Sequence, residues 1–344
     1  MTETITFKNW YFARIKNKKI RVIIPFSGGT DSMLILLECL RSMYTMTDDE
    51  MPDIVLSHVI SRNNADHAIA LDRVRTTFTN MHNVLEQKYK KHFQLNVSEM
   101  NIAMPDIFIS ALGTLADWKH ADWKCESFPK LPAYILAGFA GINTDYDENV
   151  ILYGFNTTDD LRHVTGNVAN IIKEFGSALS HNTDSMISVE YPFLVKDVNK
   201  TAVLVDLYEL SHAIEIGSKN RVGTLSDLQV QRIIGDLTWC DYLTKDKKYK
   251  DTTCFDVSKI RDEALYFANH PEETPCTDPW EAVVSRCTCC SCTHMIYALN
   301  AISKISGKRG ICPEKVIRWY ISMVCNDMDD LDYLVDWVSD LRNE

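Results

Sequence analysis

A chain of 344 residues with 46% apolar and 10% aromatic content has enough material for one large domain or two modest ones, which excludes a disordered or fibrous polypeptide. Its net charge of −11 weighs against a broad nucleic-acid footprint, which needs a basic face. No apolar run approaches a membrane span, and the opening MTETITFKNW lacks a basic-then-apolar leader pattern, so a cytoplasmic location is expected.

In chain order, Ile5–Ile15 and Lys19–Phe26 read as a hairpin around Lys16-Asn17-Lys18, placing an edge strand before a core strand. Val22 to Phe26 is an apolar, β-branched run of the kind found in buried strands. Ser27-Gly28-Gly29-Thr30 follows, and Asp31-Ser32 opens an amphipathic helix with Met33, Leu34, Leu36, Leu37 and Leu40 as its apolar positions. Further strands are expected at Ile54–Ile60, Phe93–Val97, Val150–Gly154 and Met186–Tyr191. Helical patterns lie between them, at about Asn64–Tyr89, Pro105–Trp118, Leu131–Ile142 and Asn167–Leu179. Strands alternating with helices imply an α/β fold with a doubly wound parallel sheet.

The later part of the chain is patterned differently. A weakly patterned region from about Lys219 to Pro279, with the polar run KDKKYKDTT inside it, reads as an insertion or a lid. The tail Met328–Leu341 carries Leu331, Leu334, Val335, Val338 and Leu341 on one helical face, the spacing of a docking helix. The expected organisation is an α/β domain over residues 1–211 and a helical region over 212–344, interrupted by an insertion at about 241–286.

Strand, glycine turn and helix together aim backbone N–H groups and a helix N-terminus at an anion, and a polyphosphate suits the arrangement. It is not a Walker A loop, because the lysine of that motif is missing; Asp31 stands instead where a carboxylate can help hold Mg²⁺ beside phosphates. Loops that follow parallel strands are where such folds hold ligands. His58, near the end of the second strand, therefore reads either as a strand-end cap or as a nucleotide contact. Gly154, Asn156 and the TTDD run ending at Asp160 follow the fourth strand, where turn chemistry competes with a binding role. Lys200, at the start of a helical pattern, is either a solvated charge or a cation facing departing pyrophosphate.

Eleven cysteines without a secretory leader point to metal before disulfides. Cys287, Cys289, Cys290 and Cys292 fall within RCTCCSCTH, and two overlapping C-x-x-C registers leave the ligand set open. Such thiolates suit tetrahedral Zn²⁺ in a closed, structural site, with a ligand from a second segment: Cys240, Cys276 or Cys254. A set of buried or reactive thiols is the competing account.

SGGTDS at Ser27–Ser32 resembles the PP-loop, SGGxDS, of the ATP pyrophosphatase superfamily. That resemblance implies a Rossmann-like adenine-nucleotide α-hydrolase fold and cleavage of ATP between its α and β phosphates. With the cysteine cluster, the chain resembles the 7-cyano-7-deazaguanine synthase (QueC) family, as a divergent member. PFLVKDVNK ending at Lys200, LTWC ending at Cys240, CTCCSC at Cys287–Cys292 and GFNTTDD at Gly154–Asp160 match its segments in order. The chain departs from the family in the long stretch between Cys240 and Cys287, the extra cysteine, and the missing serine before Cys240.

The resemblance implies an ATP-dependent carbon–nitrogen ligase of queuosine biosynthesis. It would adenylate 7-carboxy-7-deazaguanine and convert it with ammonia to the amide and then the nitrile. ATP, Mg²⁺ and Zn²⁺ are the implied cofactors, with Phe26, Ser27, Gly28, Gly29, Thr30, Asp31, Ser32, His58, Gly154 and Asn156 at the nucleotide. Asp31 and Lys200 are the implied catalytic residues; Cys240, Cys287, Cys289, Cys290 and Cys292 are the implied metal ligands. Free ammonia is the expected nitrogen source, no nucleic-acid or membrane partner is expected, and a homodimer is left open. The competing readings are an enzyme spending the adenylate on another acceptor in phage or defence systems, a PP-loop tRNA-modifying enzyme, and a non-catalytic nucleotide sensor.

Overall fold

The computed structural model of the protein describes residues 18–44, 46–61, 65–100, 130–157, 168–213, 225–234, 270, 302, 305–306 and 308–324. The chain divides into two compact units: the first carries all of the described strands, and the second takes residues 200–208 and the described residues from 302 onward.

The described strands of the first unit are β1 (Ile20–Pro25), β2 (Asp53–Ser61), β3 (Phe93–Met100), β4 (Glu148–Leu152) and β5 (Met186–Glu190). They form a five-stranded sheet in the order β3-β2-β1-β4-β5, and every pairing is parallel. The fold is α/β with a Rossmann-like parallel sheet, as the alternation of strands and helices implies. Val22, Ile23 and Ile24 on β1 and Ile54, Val55 and Leu56 on β2 are fully buried, the near-continuous apolar run of a strand covered on both faces.

Pairing settles one question against expectation. Arg21, Val22 and Ile23 have parallel neighbours on both sides, Asp53–Val55 of β2 and Asn149–Ile151 of β4. A hairpin that pairs β1 with Ile5–Ile15 therefore has no vacant side over these residues; residues 5–15 themselves lie outside the described part of the chain.

The helices of this unit are α1 (Thr30–Met43), α2 (Ala65–Val84), α3 (Gln87–Lys90), α4 (Lys130–Phe139), α5 (Ala169–Ser180), α6 (Pro192–Val195) and α8 (Asp227–Ile234); α7 (Lys200–Ser211) lies between the last two in sequence. The long helix expected over Asn64–Tyr89 is broken. Glu86 takes an extended conformation (φ −65°, ψ 157°), which lets both Leu85 and Tyr89 bury. Expected helices at Pro105–Trp118 and Met328–Leu341 lie outside the described residues.

Within the region read as an insertion or lid, α8 is an ordinary core helix. Ser226 and Gln229 form a reciprocal capping box: Gln229 N–H donates to Ser226 Oγ (3.3 Å) and Ser226 N–H to Gln229 Oε1 (2.8 Å). Val230, Ile233 and Ile234 are buried, and Gln229 Nε2 donates to the Val84 carbonyl at the end of α2. The S-x-x-Q signal was present in the sequence and marks this helix.

Helices α4 and α5 share one core with the sheet, built from Ile23, Val55, Ile151, Tyr153, Ile172 and Val189 with Tyr134, Ile135 and Phe139 packed against it. Gly138 of α4 is the tightest point. A Cβ there would lie 2.2 Å from the Tyr153 hydroxyl oxygen, which itself donates to the Tyr134 carbonyl (2.5 Å). Burial pushes the Tyr153 phenol well above its ordinary range, with Tyr191 and Tyr134 adding to it, so this hydroxyl stays a donor.

In the second unit, Arg309 pairs with the buried Asp206 of α7, and Tyr208 meets Trp319 of α9 (Pro313–Val324) edge to face at 5.5 Å. No helix among the described residues is long and apolar enough to cross a membrane.

Gly138→Ala is expected to destabilise the protein by about 1–3 kcal/mol, because a rigid phenol ring rather than a flexible chain end must give way. Urea unfolding read by tryptophan fluorescence checks this, and an unchanged midpoint would contradict it.

Candidate functional site

All strands of a parallel sheet end at one edge, and the strand order β3-β2-β1-β4-β5 reverses direction between β1 and β4. At such a reversal the crossover helices pass to opposite faces, which opens a crevice beyond the strand ends. The loops that border it are those after β1 and β4, residues 26–29 and 153–157.

The β1 loop is built tightly. Phe26 continues the pairing to β2, its N–H donating to the Ser57 carbonyl (2.8 Å). Gly28 takes φ +80°, a left-handed conformation open to glycine at no steric cost. Gly29 is the N-cap of α1 and forms no side-chain cap hydrogen bond. Ser27 Oγ accepts from the Gly29 N–H (3.2 Å), and Ser32 Oγ donates to the Gly29 carbonyl (3.2 Å). The first helical bond runs from Met33 N–H to the Gly29 carbonyl (3.1 Å). First-turn N–H groups of a helix have no partner within it and point outward along the axis, which makes this terminus suited to an anion. Thr30 Oγ1 is buried and has no hydrogen-bond partner among the described residues.

The β4 loop lies directly on this turn. Gly154 is so close that a Cβ would stand 3.1 Å from Asp31 Cβ, 3.2 Å from the Asp31 carbonyl carbon and 3.3 Å from Ser32 N. Asn156 is 1% exposed, and its Nδ2 donates to Asp31 Oδ1 (3.1 Å). Thr157 N–H donates to the Val198 carbonyl (2.9 Å), tying the segment after α6 to the same loop. That segment turns at Asp197, which has φ 53°, a conformation aspartate tolerates better than most residues. This tie is long-range and has no sequence signal.

From β2, His58 is 8% exposed, and its Nδ1 lies 2.8 Å from the Phe26 carbonyl. A carbonyl only accepts, so Nδ1 carries the proton in this contact. The histidine thus holds the start of the β1 loop.

Phe26, Asp31, His58, Gly154 and Asn156 are therefore brought into one set of contacts around Ser27–Ser32. Lys200 is the half-buried first residue of α7 and belongs to the second unit, whereas the loops belong to the first. Thr158, Asp159 and Asp160 lie outside the described residues, as do Cys240, Cys254, Cys276, Cys287, Cys289, Cys290 and Cys292. Among the described residues there is no cluster of three or more metal-ligating side chains. The described cysteines are the exposed Cys312 and the buried Cys39, whose thiol is pushed far up by burial and, secondarily, by Glu38.

Comparisons with protein-family models, curated proteins and solved structures returned no match to this chain.

The Asn156–Asp31 contact makes two variants informative. Asn156→Ala is expected to cost about 1–3 kcal/mol, since it removes a buried hydrogen bond to a carboxylate. Asn156→Asp replaces the donor with a second carboxylate facing Asp31, so at neutral pH it is expected to destabilise the protein more than the alanine variant does. Urea midpoints of both variants at pH 7, compared with wild type, check this order.

Proposed function

We propose that the protein is an AMP-forming carbon–nitrogen ligase that adenylates a carboxylate and passes it to ammonia. The proposed substrate is 7-carboxy-7-deazaguanine, carried through the amide to 7-cyano-7-deazaguanine. One observation carries the reading: SGGTDS lies at the strand-order reversal, with its aspartate gripped by Asn156 and covered by Gly154. A left-handed glycine, an N-cap without a side-chain bond and an adjacent carboxylate fit a Mg-polyphosphate better than an uncharged ligand.

The chemistry requires charge to be handled at the phosphates. A carboxylate oxygen attacks the α-phosphorus of ATP, the bond to the bridging oxygen breaks, and pyrophosphate leaves with the electron pair. Ammonia then displaces AMP from the acyl carbon, losing a proton, to give the amide. A second attack on ATP through the amide oxygen, followed by loss of AMP and of the nitrogen's protons, gives the nitrile.

In this reading the first-turn N–H groups of α1 bind the leaving pyrophosphate, where negative charge develops. Asp31 holds Mg²⁺, which when bound neutralises the phosphate oxygens. Lys200 supplies a further cation to them. His58 keeps the Phe26 carbonyl, and with it the mouth of the loop, in place. The cysteines of CTCCSC with Cys240 hold a structural Zn²⁺ apart from these steps.

Purified protein given Mg-ATP, ammonium and 7-carboxy-7-deazaguanine is expected to form AMP, pyrophosphate, amide and nitrile, read by mass spectrometry. Asp31→Ala and Lys200→Ala are each expected to lower AMP formation about 100-fold with folding retained. Wild-type turnover in either variant removes that residue's role, and absence of AMP formation from bound ATP overturns the ligase reading. Serine at Cys287, Cys289, Cys290 and Cys292 together is expected to abolish zinc content measured by atomic emission; full retention of zinc would dismiss these ligands.

A further inference from the structure

The sheet has a second polar concavity, on its other end and independent of the loop site. Parallel pairing puts Arg21 beside Asp53 at the start of β1 and β2, and Val55 beside Gln94. By alternation, Arg21 shares a face with Ile23, and Gln94 shares one with Asn96. Ile23 packs under Gly141, so the loop after α4 runs over this face. Between loop and strands lies a cavity of about 440 Å³, lined by Arg21, Gln94, Asn96, Asn143 and Thr144 with Val55 and Ile142 among its apolar members.

A guanidinium on the central strand of a parallel sheet is unusual, because both faces of such a strand are normally apolar. Here it is held rigidly. Arg21 Nε donates to the Gly141 carbonyl (2.8 Å), Nη2 donates to Gln94 Oε1 (3.1 Å), and the group lies 5.1 Å from the centre of the Tyr146 ring. The Tyr146 hydroxyl is a further side-chain partner of the guanidinium. The opposing wall is also pinned. Asn96 Nδ2 donates to the Ala140 carbonyl (3.0 Å), while Asn149 accepts from the Asn143 N–H and donates to its carbonyl (both 3.0 Å).

The charge balance in the cavity is one-sided. Among the described residues that line it, Arg21 is the one ionised group and none is a carboxylate. The neighbouring Asp53 is engaged elsewhere, by the Tyr146 hydroxyl and by His92 Nδ1 (2.8 Å). The amide of Gln94 turns its oxygen to Arg21, which leaves its NH₂ as a donor; the exposed Thr144 adds a hydroxyl at the rim. A rigid planar fork with amide and hydroxyl groups around it matches a carboxylate on a small polar body, and one cation matches one negative charge. The volume falls within the range of small-molecule sites.

We propose that this cavity is a binding site for a small polar carboxylic acid, seated by Arg21 with Gln94 and Thr144 beside it. Titration of the full chain with sodium glycolate, followed by saturation-transfer NMR, tests the proposal. Glycolate is expected to saturate in the millimolar range, and its neutral amide, glycolamide, is expected not to. Arg21→Gln is expected to weaken glycolate binding by about tenfold or more, the effect of losing a charge-assisted bond. Because Arg21 also braces the loop, Thr144→Glu is the second variant: it sets a negative charge at the exposed rim and is expected to abolish glycolate binding at an unchanged melting temperature. Equal binding of glycolamide, undiminished binding in either folded variant, or no saturable glycolate signal in the wild type overturns the proposal.

Discussion

Parallel pairing on both sides of β1 is the constraint on which the first unit depends. A strand with neighbours on both edges and helices over both faces has no solvent side, and Val22, Ile23 and Ile24 are accordingly fully buried. Parallel neighbours cannot be joined by a tight turn, so each connection crosses over a face and carries a helix with it. The order reverses beside β1, and the loop that leaves its C-terminal end faces the loop that leaves β4.

That juxtaposition limits what the β1 loop can be. Helix α1 is buried nearly throughout, with even Glu38 inside and paired to Arg41 on the next turn. Its N-terminus cannot shift independently of the core, and the β4 backbone lies on it at van der Waals distance through Gly154. Asn156 and His58, both buried, attach Asp31 and Phe26 from two different strands. The loop is thus held before any ligand arrives, which lowers the ordering cost of binding.

The two ends of the same strands have different characters. At the C-terminal edge, backbone groups and a helix terminus present partial positive charge. Toward the N-terminal edge, a full charge sits on Arg21, braced by a carbonyl, an amide and a ring. The first arrangement suits a polyanion with its own metal ion, and the second suits a monoanion. Asn149 and Arg21 both reach the 141–143 turn, so the end of α4 is fixed from two strands at once.

Much of the first unit was legible from local pattern. The apolar runs ending in Phe26, Ile60, Val97, Gly154 and Tyr191 mark β1 to β5 to within a few residues, because buried parallel strands must be apolar and must alternate with crossover helices. The Ser-Gly-Gly turn was legible as well, because glycine adopts Gly28's left-handed conformation without steric cost. Strand order was not legible, since pairing is chosen by contacts between segments far apart in sequence; this is why a hairpin partner for β1 was expected where β2 and β4 pair with it. Nor was the break at Glu86, where burial of Leu85 and Tyr89 overrides a continuous helical pattern. The grip of Asn156 on Asp31, across 125 residues, and the seat of Arg21 among Gly141, Gln94 and Tyr146 exist only once the sheet is assembled. Residue type and local spacing determined which elements form, because those depend on short-range sterics and burial. Only the tertiary structure decided which side chains meet, because a contact's partner is set by the packing of the whole sheet.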